Sequence, residues 1–403
     1  FMVRVGGLKL QQARGVASTD TAGMSVSAQL SAIAQRTGQM VAAQYACFNG
    51  ELEPGLAEFG IARVKMSEAS IKHREAAARI FDEEIYPVLS PMAIDPAREF
   101  PLLVNLMLHV CVELAAPKLD PPRRFAVIPL GRVLPRILTL PAERGFSFAL
   151  LEDVVAWLAD RFFPKEQLIS AVPFRITRNG DVSLQEDQAA DLMRDMEEVL
   201  AQRKTAECVR LEIGADAPVE MREFLRQSLG LTEQDVVLAT GPLDLSAFMQ
   251  LQSLEGFDSL RDPIWVPQRS PQVDPTQSMF TTLSEGDLLL CHPYESFEPV
   301  VRMIEEAASD PDVLAIKQTL YRTSRESPIV AALCRAAERG KYVTAIVELK
   351  ARFDEARNIE WARELEEAGV QVIYGVKKLK THAKVCIIVR REPRGIVRYV
   401  HFG

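Results

Sequence analysis

A histidine and a lysine stand two residues apart in Lys377-Lys378-Leu379-Lys380-Thr381-His382-Ala383-Lys384, a run of positive charge that leads into Val385-Cys386-Ile387-Ile388-Val389. An unperturbed imidazole titrates near pH ~6.5, so at neutral pH it offers a nitrogen lone pair to phosphorus while an adjacent ammonium steadies phosphoryl oxygens. In a strand, alternate residues face the same way, so His382 and Lys384 would project together, opposite an apolar face of Ala383, Val385, Ile387 and Val389. The pair is weak alone, since an ordinary basic strand entry looks the same. Two arginines add to it. Arg322 closes the strand-like run Lys317–Tyr321, and Arg352 follows the run Val343–Leu349, whose Glu348, Lys350 and Arg352 emerge opposite Val343, Ala345, Val347 and Leu349. A guanidinium fork matches two phosphate oxygens and stays charged at any relevant pH, so two of them can clamp a polyanion. Taken singly, each arginine reads first as a salt-bridge partner of Asp354, Glu355 or Glu360; the combination with His382 points to phosphate chemistry.

These groups must be held by an α/β sheet. From residue 287 onward strand and helix patterns alternate: strand Asp287–Cys291, helix Phe297–Ala308, strand Val313–Leu320, helix Pro328–Arg339, strand Tyr342–Leu349, helix Glu355–Ala368, strand Val370–Tyr374. Ser327-Pro328 supplies a helix N-cap and a first-turn proline, and Gly340 and Gly369 stand where left-handed C-terminal caps belong. The arginines follow strand ends, whereas His382 and Lys384 open a strand, so a single site requires the strand His382–Arg390 to run antiparallel in a mixed sheet. His401 would come near His382 if the last two strands form a hairpin across Glu392–Gly395. His292, after the Asp287–Cys291 run, would border the site, and strand parity would let Glu348 orient His382. His73 and His109 lack cationic or carboxylate company and read as structural.

Upstream, residues 1–57 read as a helical domain broken by the turn Glu53-Pro54-Gly55, and 58–270 as an α+β head domain with a helix over 67–85 and extended runs at 103–114, 124–128 and 174–177. Pro263, Pro267, Pro271 and Pro275 punctuate the connection to a third domain over 271–403. The fold class is therefore multidomain α/β and α+β.

Composition narrows the function further. At 403 residues, 48% hydrophobic and 25% charged, the chain can build several cores. Six cysteines without a C-x-x-C pair read as buried thiols and not as a zinc site or a disulfide framework, which fits a reducing cytoplasm, if not a peripheral place at the membrane. The longest apolar stretch, Leu102–Ala116, is cut by Asn105, His109 and Glu113, so no transmembrane segment and no signal peptide are expected. The net charge of −8 hides an asymmetry, because residues 313–403 carry 18 Lys and Arg against 10 Asp and Glu. An anion is expected at that basic end. There is no P-loop, no G-x-G-x-x-G after a strand, no H-E-x-x-H and no protein-kinase signature, so any ATP would be held by side chains.

Three segments carry a resemblance: Asp310–Arg322, Val347–Glu355 and Leu379–Lys384 resemble polyphosphate kinase of the class whose catalytic core is two phospholipase-D-like domains after a helical and a head domain. The resemblance implies that residues 271–403 are the first, partial, phospholipase-D-like domain. It also implies reversible transfer of the terminal phosphate of ATP to inorganic polyphosphate through a phosphohistidine at His382, with Lys384 and His401 in the catalytic set. Arg322 and Arg352 match the family's magnesium positions; as guanidiniums have no lone pair to give, they are expected to hold phosphate that Mg2+ also touches. ATP and ADP, polyphosphate and a homo-oligomer are the implied partners, and nucleic acid is not expected among them. Position 389 is Val where the phospholipase-D pattern continues to Asp, which suits a kinase better than a phosphodiesterase. Both ends read as cut inside structure, and the piece alone as inactive without the second catalytic half. A phospholipase-D-like phosphodiesterase or nuclease, or a non-catalytic polyanion binder, is the alternative.

Overall fold

The computed structural model describes residues 1–17, 19–94, 99–118, 122–181, 192–322, 326–349, 351, 354–375 and 379–403. The chain divides into two compact units, one of residues 1–182 and 201–258, the other of residues 183–200 and 259–403.

The first unit opens with α1 (Met2–Ala13) and α2 (Val26–Cys47). Ser25 caps α2, its hydroxyl accepting from the Ala28 amide at 3.2 Å. The expected break at Glu53-Pro54-Gly55 does not occur. A π-helical turn over Phe48–Leu52 leads directly into α3 (Glu53–Glu58), with Pro54 in its first turn. Proline lacks only an amide there, and the widened turn before it makes room for the ring. Next come β1 (Ile61–Arg63), α4 (Ile71–Ile80), β2 (Met92–Ala93), β3 (Leu108–Ala115), β4 (Arg123–Pro129), β5 (Ile137–Leu140), β6 (Phe146–Leu150), α5 (Leu151–Trp157) and β7 (Leu168–Arg178). The helix α6 (Leu192–Thr205) crosses the division of the chain, and β8 (Cys208–Gly214), α7 (Val219–Ser228) and β9 (Val236–Ala239) follow.

Six strands form a sheet in the order β2-β4-β3-β7-β8-β9, antiparallel except for β8 and β9, and β1-β6-β5 form a second sheet. Strand β3 is buried on both faces. Val110, Val112 and Leu114 join the core that holds Phe81, Ile85 and Val154, while Cys111 joins the core that holds Phe174, Ile213 and Met221. That explains why Val110-Cys111-Val112 is apolar at consecutive positions and not only at alternate ones. His109 is fully buried there, stacked on Phe174 at 5.2 Å.

The second unit contains α8 (Met279–Glu285), α9 (Glu298–Ser309), β10 (Val313–Leu320), α10 (Pro328–Glu338), β11 (Tyr342–Val347), α11 (Glu355–Glu367), β12 (Gln371–Tyr374), β13 (Val385–Glu392) and β14 (Gly395–Phe402). The sheet order is β12-β11-β10-β13-β14. The first three strands are parallel, linked by the crossovers through α10 and α11; β13 returns antiparallel to β10, and β14 closes a hairpin. The mixed sheet expected from the sequence is present. One face is sealed, with Ile316 level with Val343 and Ile388, and Gln318 level with Ala345 and Cys386. Val385, Ile387 and Val389 point to the other, half-exposed face. The glycine caps are real: Gly340 and Gly369 have φ of +79° and +86°, a region that costs an L side chain strain. Ser327 accepts from the Val330 amide at the start of α10. The expected strand at 287–291 is absent: no strand pairs with it, and Leu289 is 82% exposed. Its apolar residues satisfy the strand pattern, but a strand exists only through a neighbour.

Candidate active site

The site lies where β10 ends and β13 begins. Because β13 runs antiparallel, the carboxyl end of β10 and the amino end of β13 share one edge of the sheet, and Gln318 sits level with Cys386. Arg322, His382 and Lys384 therefore fall together. His382 and Lys384 do not stand on the strand itself, which starts at Val385. The reason is a side chain: Thr319 Oγ1 donates to the Ala383 carbonyl at 2.7 Å and accepts from the Val385 amide at 2.9 Å, taking the place of backbone pairing. The residues before Val385 are thereby held as a loop at the sheet edge.

Tyr321, just after β10, packs against that loop. The exposed imidazole of His382 packs against its ring at 77° with centroids 4.7 Å apart. Lys384 Nζ is 4.6 Å from the ring centre, Lys380 Nζ 5.5 Å and the Arg322 guanidinium carbon 5.6 Å. Lys384 also donates to the carbonyl of His382 at 2.5 Å. Arg322 pairs with Asp354 at 2.8 Å, one of the acidic partners expected for it, and its side chain is 56% exposed.

The loop is anchored from beneath. Glu348 is fully buried, and its Oε2 accepts from the backbone amide of Thr381, the residue before His382, at 2.6 Å. Asn358 on α11, also buried, donates to the carbonyls of Tyr321 and Glu348, each at 2.8 Å, tying the ends of β10 and β11 together. Glu348 thus touches the chain beside His382, acting through the main chain. Thr319, Tyr321 and Asn358 were not singled out from sequence, since neutral side chains carry no signal until the strand pairing is known. Arg352, Lys350, Lys377 and Lys378 lie outside the described residues.

His401 lies on β14 level with Cys386. The Gly403 amide donates to the carbonyl of Lys384 at 2.9 Å, which holds the end of β14 beside Lys384. His401 is held below the ordinary imidazole range, first by burial and second by the neighbouring charge of His292. Both imidazoles pack edge-on to Phe297, at 6.3 and 5.3 Å. His292 does not end a strand as expected; it sits in a turn where Glu295 Oε2 accepts from the Cys291 amide at 2.7 Å. His73 Nε2 lies 3.0 Å from the Pro141 carbonyl, in the first unit.

Magnesium does not fit Arg322 as a direct ligand. Among the described residues no three His, Cys, Asp or Glu gather to hold a metal, and a guanidinium has no lone pair to give. Among the same residues no helix is long and apolar enough to cross a membrane. Of the six free cysteines, Cys111, Cys208 and Cys386 are buried, whereas Cys47 and Cys291 are exposed, against the expectation of buried thiols. They follow no shared rule: the buried three lie on strands, Cys47 at the end of an exposed helix and Cys291 in a loop.

One edge of this mixed sheet gathers a histidine, two lysines and an arginine around Tyr321. Family models agree on which class this is: those described as the polyphosphate kinase N-terminal, middle and C-terminal 1 domains match residues 1–64, 72–251 and 278–403. The chain belongs to the polyphosphate kinase family. It is 49% identical to a polyphosphate kinase of Rhodopirellula baltica, over 100% of this chain and 55% of that protein. It is 40% identical to polyphosphate kinase 1 of Chlorobaculum tepidum, over 100% of this chain and 58% of that protein. The fold resembles the crystal structure of polyphosphate kinase from Porphyromonas gingivalis, with a TM-score of 0.77 and 24% identity, over 97% of this chain and 55% of that chain. The chain thus spans little more than half the length of the relatives it matches.

Proposed function

We propose that this chain carries the histidine-bearing part of an ATP:polyphosphate phosphotransferase and that His382 is the group phosphorylated. The observation that supports this reading most is the convergence of His382, Lys380, Lys384 and Arg322 around Tyr321 at one strand edge. Neutral imidazole attacks the γ-phosphorus of ATP in line, the bond from that phosphorus to the β,γ-bridging oxygen breaks, and ADP leaves with the oxygen. A terminal oxygen of polyphosphate then attacks the phosphoimidazole, the P–N bond breaks, and the chain is one phosphate longer with the imidazole restored. Both steps spread charge over three oxygens in a loose transition state, so cations that stay in place supply most of the catalysis. Arg322 and Lys384 bind the transferring group, and Arg352 is assigned beside them from sequence. Lys380 guides the polyanion, and His401 serves as an accessory histidine next to Lys384.

The full-length protein incubated with γ-labelled ATP should form an acid-labile, alkali-stable phosphoenzyme that His382→Ala abolishes. It should also elongate polyphosphate, and make ATP from ADP and polyphosphate. Phosphate-ester cleavage without ADP dependence would replace the kinase with a phosphodiesterase. Polyanion binding without label would leave only a binder, and undiminished label in His382→Ala would move the nucleophile elsewhere.

A further inference from the structure

Among the described residues, one that carries no charge lies against all four of the proposed reactive groups. Tyr321 meets the proposed nucleophile edge to face and has Lys384, Lys380 and Arg322 within 4.6, 5.5 and 5.6 Å of its ring centre. Its backbone is fixed independently, because its carbonyl accepts from the buried Asn358 amide. We infer that Tyr321 is a positioning residue for the phosphoryl transfer, its ring holding three cations over its face and one imidazole at right angles to it in a phosphate-ready array. This rests on the reading of His382 as the phosphorylated group.

The physical case turns on what else could collect three cations in one place. A carboxylate would gather them, but it would compete with the incoming phosphate for the same charges. An aromatic quadrupole attracts cations within about 6 Å of its centre without neutralising them. That attraction is weak enough to be exchanged for a charge-assisted hydrogen bond when a phosphoryl oxygen arrives. The ring therefore offsets mutual repulsion among Arg322, Lys380 and Lys384 while leaving the charge of the two lysines available; Arg322 is shared between the ring and Asp354. The edge-to-face contact also restrains the plane of the His382 imidazole, and with it the direction of its lone pair. Neither task needs the phenol hydroxyl.

The test separates ring electrostatics from ring shape. In the full-length protein, position 321 is filled with Phe and with a series of increasingly fluorinated phenylalanines, which keep the shape and drain the π face. Single-turnover phosphoenzyme formation from γ-labelled ATP is then timed. Tyr321→Phe should stay within about twofold of wild type, and the rate should fall stepwise to about tenfold lower at pentafluoro-Phe, the size expected of one to two cation–π contacts. A fall of less than threefold across the series overturns the inference, and so does a loss caused by Tyr321→Phe alone, which would place the role in the hydroxyl. Wild-type protein that forms no phosphohistidine at all would instead overturn the functional reading, so the two failures are distinguishable.

Discussion

Glu348 and Thr319 hold the reactive loop by its main chain, so their substitution should be felt at His382 without touching substrate. Thr319→Val removes the group that both donates to Ala383 and accepts from Val385. The part-buried Val385 amide then loses its acceptor, a loss of at most about 1–3 kcal/mol, and the loop loses its fastening at the strand start. We expect a lowered urea midpoint together with slower phosphoenzyme formation; unchanged labelling would show that Thr319 is only a structural fastening. Glu348→Gln keeps an acceptor for the Thr381 amide and should lower the labelling rate only a few-fold, whereas Glu348→Ala leaves that amide unsatisfied and should lower it further. Equal rates in the two variants would remove Glu348 from the positioning role. At this scale the sequence exposed residues whose type is their signal: a histidine and a lysine in a basic run, and an arginine at a strand end. It hid Tyr321, Thr319 and Asn358, because a phenol, a hydroxyl and an amide gain their meaning only from what the fold sets beside them.

Among the elements, β3 carries the clearest pH dependence. Burial holds His109 neutral, its pKa pushed down to about 4. A folded value below the unfolded value of ~6.5 means that this contribution is complete above pH ~6.5 and is lost as pH falls towards 4, in total about 3 kcal/mol. His109→Phe keeps the stack on Phe174 and cannot take up a proton. The difference in unfolding free energy between variant and wild type should therefore grow by that amount between those pH values, and a flat difference would show that His109 does not titrate on unfolding. The caps of α10 and α11 are a second case: Gly340→Ala or Gly369→Ala forces an L side chain into φ near +80° and should cost about 1 kcal/mol each in denaturant titration. These two helices were legible because caps are written in local residue types. The helix through Pro54 and the unpaired run at 287–291 were not, since a π-turn and a missing neighbour leave no local trace.

For the whole molecule, two compact units predict unfolding that is not two-state. In calorimetry Phe174→Ala should lower one transition and Leu333→Ala another, each by the few degrees that a core truncation of about 2–5 kcal/mol produces. A single peak moved equally by both would show that the units melt together. The charge asymmetry between the two parts of the sequence, basic over 313–403, was readable at once and coincides with the unit that carries the site. The antiparallel return of β13 has a consequence in time. The strands β10, β11 and β12 can assemble in order as the chain emerges, each joined to the last by one helix, but the hydrogen bond from Thr319 to Ala383 spans 64 residues. Contacts of such separation form late, because loop closure must come first. The reactive edge is therefore the last part of its sheet to exist, and in refolding the capacity to take phosphate should lag behind the recovery of helical signal.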